Sequence, residues 1–267
     1  MRRLTLIGTV VALVAMVLPA SAFAASPGAG TCSGGTMHAG TYSGFTVTGT
    51  CTIAYGATVQ INGDLTVAAG ASLDDHGAEL WRKAQVHVTG NVTVGKGAVL
   101  GLGWNSPQGE GSLGPDTVGG NIVANQPLAL QVGQVTIGGN LVSNGGGVDS
   151  VAGADRNFPV EDNVIHGNLI VQGWRGGWIG LIRNQVDGNV IFAKNVSLSN
   201  PETGPGTDED SSEVMGTAFG PFNIPQTIGG NLICHDNVPA AQVNPLDGGA
   251  SNFVGGKAIG ECAGLTQ

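Results

Sequence analysis

Asp74-Asp75-His76-Gly77, with Arg82 and Lys83 close behind, comes nearest in residue type to a catalytic set. Polysaccharide hydrolases of the β-helix class place an acid and a base carboxylate on either side of a glycosidic bond. They gather these groups from different turns of the coil. Here they lie in one short run, which also reads as a solvated turn. Lyases of the same architecture need carboxylates for calcium. Asp208, Glu209, Asp210 and Glu213 supply charge but not EF-hand spacing, and they sit in a Pro- and Gly-rich stretch that reads as an acidic loop. Residues 145–163 form another Gly- and Asp-bearing loop and, with 74–83, one of the two places where such an activity could reside. Trp174 and Trp178 flank Arg175 and could offer a platform for sugar rings. The competing reading packs a tryptophan over a Gly-rich corner.

The five histidines (His38, His76, His87, His166, His235) share no ligand spacing, although His166 and His235 would approach each other if their segments stack. Asn91-Val-Thr and Asn195-Val-Ser match the glycosylation acceptor pattern. No nucleophile elbow, phosphate loop or dinucleotide fingerprint occurs. The expectation is therefore no catalytic residue, no cofactor and no metal, with Trp174 and Trp178 as glycan-contact candidates.

What must position any such groups is a repeat. Gln134-Val-Thr-Ile-Gly-Gly-Asn-Leu-Val-Ser-Asn144 returns in near-copies along most of the chain. The copies align on Gly63, Gly90, Gly120, Gly139, Gly167, Gly188 and Gly230, which are followed by Asp64, Asn91, Asn121, Asn140, Asn168, Asn189 and Asn231. Two residues before each glycine stands a valine or isoleucine, and two after it a leucine, valine or isoleucine. This period of two is a strand signature. It places positions −2, 0 and +2 on one inward side of a strand, with the glycine where room is short or the strand bends. Gly49, followed by Thr50, reads as a degenerate eighth copy.

An asparagine recurring once per unit can stack into an amide ladder. A second motif, Thr-apolar-x-x-Gly-Ala-x-apolar, starts at Thr52, Thr66 and Thr93 and follows the Gly-Asn unit directly. One such unit cannot bury its apolar face alone, but coiled units cover one another. The fold expected is all-β: a single-domain β-solenoid, that is, a parallel β-helix, expected right-handed, with disulfide-bonded end caps. From Gly49 on, glycines 14, 27, 30, 19, 28, 21 and 42 residues apart make the coils unequal, with the excess in corner loops.

Arg2, Arg3, an apolar run from Leu4 to Leu18 and Ala22-Phe23-Ala24 form a signal peptide over 1–24, leaving 25–267 as the solenoid domain. No cysteine follows the cleavage site and no apolar anchor closes the chain, so the expectation is a secreted protein with no membrane span after processing. Losing Arg2 and Arg3 leaves eight basic against 19 acidic residues, a net charge of −11. That argues against nucleic acid as a partner and leaves an extracellular polysaccharide or cell-surface component. Oligomeric state is not set by the sequence. Cys32 and Cys51 lie near the start, Cys234 and Cys262 near the end. The simplest pairing in an exported chain is Cys32–Cys51 and Cys234–Cys262, closing caps over 25–51 and 234–267.

The block Gly229-Gly-Asn-Leu-Ile-Cys-His-Asp-Asn-Val-Pro-Ala240, with Gly260-Glu-Cys262 after it, resembles the end of secreted actinomycete-type β-solenoid proteins. The resemblance implies a secreted β-solenoid and carries no activity with it. The rungs are also similar in pattern to bactofilins, polymer-forming β-helical proteins that are cytosolic and lack signal and disulfides. Residues and resemblance together point to an exported, non-catalytic structural or interaction protein of the cell surface or extracellular space, with loop side chains making its contacts. The alternatives are a β-helical polysaccharide lyase or hydrolase, or a carbohydrate-binding module.

Overall fold

Each Gly-Asn unit turns a corner between two strands that lie on adjoining faces. A computed structural model shows this for residues 27–74, 84–103, 115–147, 158–197, 212–216, 224–244 and 250–265. The chain visits face A, face B and face C in turn; the first coil uses Gly30–Cys32, Gly35–Met37 and Gly40–Tyr42. Among the described residues face A has ten strands, face B eight and face C nine, every neighbouring pair parallel. A short 3-10 helix, Glu261–Gly264, closes the coil. The result is a three-faced parallel β-solenoid.

The core is the inside of the coil. Positions −2 and +2 point inward as expected: Ile61, Val88, Val118, Ile137, Ile165, Val186 and Ile228 end strands of face C, and Leu65, Val92, Ile122, Leu141, Leu169, Val190 and Leu232 begin strands of face A. The glycines line up in one column, and from Gly90 on each N–H donates to the carbonyl of the glycine one coil before, at 2.8–3.0 Å. They do not point inward between two side chains of one strand, as the period-two reading placed them. They stand at the corner, where the asparagine of the preceding coil occupies the space of a Cβ: one added at Gly167 would lie 2.6 Å from Asn140 Oδ1.

The asparagines form the ladder. From Asn91 to Asn231, each backbone N–H and each Nδ2 donates to the side-chain oxygen of the residue one coil earlier, beginning at Asp64. Lys257 N–H closes the series on Asn231 Oδ1 at 2.9 Å. Gly256-Lys257, with Val254 before it, is thus a further copy whose lysine hid it from the alignment. Gly49 is not a copy. It joins Phe45–Val47 on face A to Thr50–Ile53 on face B, a different corner.

The second motif is one turn used at two corners. Gly56, Gly70 and Gly97 have φ of 71°, 72° and 69°, and the alanine after each donates to the carbonyl three residues back. That positive φ at the third position is what a type II turn asks of glycine. From Thr52 the turn leads from face B to face C; from Thr66 and Thr93 it leads from face A to face B.

Both disulfides form with the expected pairing, Cys32–Cys51 and Cys234–Cys262. Cys32 and Cys234 belong to the same inward column of face A, near its two ends. Each crosslink therefore ties down a coil that has few neighbours to cover it. No helix among the described residues is long and apolar enough to cross a membrane.

Candidate functional site

Inside the coil run two further ladders that the sequence reading missed. At the corner from face B to face C, Asn163, Asn184, Gln226 and Asn252 are stacked and all but inaccessible. Asn184 Oδ1 accepts from the backbone N–H and the Nδ2 of Asn163, and its own Nδ2 donates to Val160 O and Gln226 Oε1. Gln226 Nε2 passes the chain on to Asn252 Oδ1 at 3.0 Å. At the corner from face A to face B, Asn195 accepts from Trp174 N–H, and Asn237 accepts from Asn195. Glu261, on the closing helix, accepts from Asn237 and from Ala241 N–H, ending this stack in the cap. Several of these asparagines follow a residue with positive φ: Asp162, Arg183, Lys194 and Asp236. That conformation turns the corner and aims the next side chain down the stack. Residues 163, 184 and 226 stand four before an aligned glycine, but that position is Val59, Val86, Asp116 and Val135 in the other copies, so one sequence does not mark it as a ladder.

Among the described residues, the groups singled out from sequence do not converge. Of the run at 74–83 only Asp74 is described, on the outer side of face B; Asp75, His76, Arg82 and Lys83 lie outside the described residues. Asp208, Glu209 and Asp210 lie outside them too. Glu213 is buried and accepts the indole N–H of Trp178. Trp174 and Trp178 form no sugar platform. Trp174 is 0% exposed, packed edge-on against Phe158 with centroids 4.6 Å apart, over the Gly146-Gly147 corner of the previous coil. Trp178 lays its ring against Gly180. The Gly-rich-corner reading therefore holds for Trp174, whereas Trp178 is half-buried and lies across a face B strand. His166 and His235 stand at different corners, bonded to Asp187 and Asp236. Asn195 is a buried ladder member, so its glycosylation pattern is sterically closed.

One cluster of ionisable groups does form, on the 145–163 segment offered for catalysis. Arg183 donates from Nε and Nη2 to the two oxygens of Asp162, at 2.7 and 2.8 Å, and from Nη2 to Glu161 Oε2 at 2.8 Å. Burial pushes the Glu161 carboxyl above its ordinary range; Arg183 pulls it down and Asp162 adds to the rise. For Arg183 burial acts downward, but bonding to and attraction by Asp162, then Glu161, more than offset it. One guanidinium thus occupies both carboxylates across two stacked corners, a brace more than an acid–base pair. The folded state holds the Glu161 proton more tightly than the unfolded state, so this group's stabilising share is full at acid pH. It is lost as pH rises through the raised folded value. Glu161→Gln should therefore gain stability relative to the parent as pH climbs from about 4 toward neutrality, in thermal melts at matched ionic strength. A difference that stays flat or shrinks would contradict the assignment.

Two outer surfaces remain. On face C a groove of about 590 Å³ runs over Gln60, His87, Thr117 and Thr136. Gly119 and Gly138 line it as well, and His87 Nδ1 lies 2.8 Å from Thr117 Oγ1 across it. On face A the outward residues form one unbroken column: Thr31, Thr46, Thr66 and Thr93, then Val123, Val142, Ile170, Ile191, Ile233 and Ile259. From Thr66 on, this column is the position three residues after each aligned glycine.

No family model, curated protein or solved structure matches the chain.

Proposed function

We propose that this chain is an exported, non-catalytic structural or interaction protein of the cell surface or extracellular space: a rigid rod that presents its outer faces. The observation that carries the reading is the direction of its polar bonding. Three stacks of amides run along the coil axis and hold one coil to the next, and the carboxylates of half-buried Glu161 and of buried Glu213 and Asp116 are bonded to Arg183, Trp178 and the Val86 N–H. Among the described residues, polar groups serve the rod rather than meeting at a point where a bond could be broken. The closed disulfides suit an oxidising, extracellular location, and a net charge of −11 for residues 25–267 suits solubility there.

The groove on face C supports a second reading, sugar binding without cleavage, because Gln60, His87, Thr89, Thr117 and Thr136 give its mainly apolar lining hydrogen-bonding groups and no carboxylate, lysine or arginine. One assay addresses both. The processed protein is incubated with cell-wall fractions and with neutral and acidic polysaccharides, and both retention and release of soluble sugar are measured. Retention, or inertness, with no new reducing ends or unsaturated uronides is expected. Release that scales with protein concentration would overturn the non-catalytic reading.

A further inference from the structure

We infer that face A is the interface of a two-fold homodimer, a second copy of the chain lying along the column Thr31 to Ile259. None of the ten outward residues is charged, and the flanks are largely amide: the asparagine ladder, with Asp64 and Lys257 at its ends, on one side, and Asn125, Asn144 and Gln172, followed by Ala193 and His235, on the other. The processed chain carries a net −11, so two copies repel least where an uncharged face meets an uncharged face. Six consecutive outward β-branched aliphatics, Val123 to Ile259, are the longest apolar stripe among the described residues.

This stripe is already rigid. β-Branched side chains have little rotamer freedom to lose, and the ladders hold the backbone, so association costs little ordering. Its rows repeat at the strand spacing of about 4.8 Å, and the surface sure to share that repeat is another copy. Two such rows can interdigitate as dry, paired sheets do, about 10 Å apart. Ten strands of three or four residues give a face of roughly 600 Å² per copy. The total, about 1,200 Å², is at the lower end for a specific interface. It describes a reversible dimer. A two-fold arrangement uses the same patch on both copies and closes, so it does not propagate into fibres.

The test is sedimentation velocity of the processed chain, both disulfides intact, from micromolar to several hundred micromolar and at low and high salt. The expected result is a monomer–dimer equilibrium that strengthens with salt, as like charge is screened. Ile170→Lys with Ile191→Lys should be monomeric throughout, with unchanged circular dichroism. Thr227→Lys, outward on face C, should dimerise like the parent. Should the double lysine variant fail to fold, Ile170→Thr with Ile191→Thr copies the threonine half of the column and should weaken dimerisation at least about tenfold. A parent that stays monomeric would overturn the inference. So would association untouched by the face A substitutions, as end-to-end contact would give. Neither outcome bears on whether the chain cleaves polysaccharide.

Discussion

Asn184→Ala should lower the stability of the fold by about 4 kcal/mol, read as a shift of the urea midpoint at unchanged slope. Asn184 is 0% exposed, so no water replaces what alanine removes. Its Oδ1 accepts the Asn163 backbone N–H at 3.1 Å and Asn163 Nδ2 at 2.9 Å; its Nδ2 donates to Val160 O at 2.8 Å. Truncation orphans a buried N–H and a buried carbonyl, each worth about 1–3 kcal/mol when left unmade, and leaves a small cavity besides. Asn163 Nδ2 keeps Val132 O, which limits the damage. The control is Asn91→Ala at the exposed corner. That residue occupies the same kind of ladder position, but solvent can take over its partners, and a loss of about 1 kcal/mol is expected. Equal effects at the two sites would mean that burial does not set the worth of a ladder residue. Asn184→Asp should be worse than alanine, because it removes both donors and buries a charge.

The exposed ladder was legible in the sequence and the buried ones were not, for a geometric reason. Where coil lengths differ, the extra residues lie at the corners bounding face B, as the strands flanking 75–83, 104–114, 148–157 and 198–211 show. From Ile61 on, the corner from face C to face A keeps a constant length from position −2 to +2, so its glycine and asparagine recur in register. The stretch from the corner glycine to face B varies in length, which scrambles the alignment there, and Asn195 and Asn237 are lost in it. Asn163, Asn184 and Asn252 stay in register but share position −4 with Val59, Val86, Asp116 and Val135. A column that changes from valine to amide midway reads as noise in one sequence. The same chemistry explains the failure of the aromatic platform. Trp174 follows Gly173, whose φ is 70°, and so occupies the corner position that Asn195 and Asn237 fill one and two coils on. That position points inward. Face A was legible too, at position +3, but period-two reasoning attends to the inward residues and leaves the outward ones unread.

The glycine column then becomes testable as a consequence of the ladder instead of a backbone requirement. Gly167 has no positive φ to explain it, yet an added Cβ would stand 2.6 Å from Asn140 Oδ1 and 2.7 Å from Gly139 O. Gly167→Ala must therefore push two coils apart or expel the Asn140 amide, and a loss of about 3 kcal/mol is expected. Gly70 gives the contrast. Its φ is 72° but nothing lies within 4 Å of its Cβ, so Gly70→Ala carries only the strain of a left-handed alanine, about 1 kcal/mol. A double-mutant cycle separates the causes. With Asn140→Ala in the background, the nearest clash at Gly167 is gone although Gly139 O remains. The alanine should then cost about 1 kcal/mol less than it does alone. Strict additivity would show that the glycine answers to the carbonyl of the preceding coil and not to its amide. A Gly167→Ala penalty no larger than that at Gly70 would show that neighbouring coils yield easily. The stacked amides would then follow the packing of the apolar interior without setting the distance between coils, and the rigidity on which the rod reading and the face A dimer both draw would have to come from the core alone.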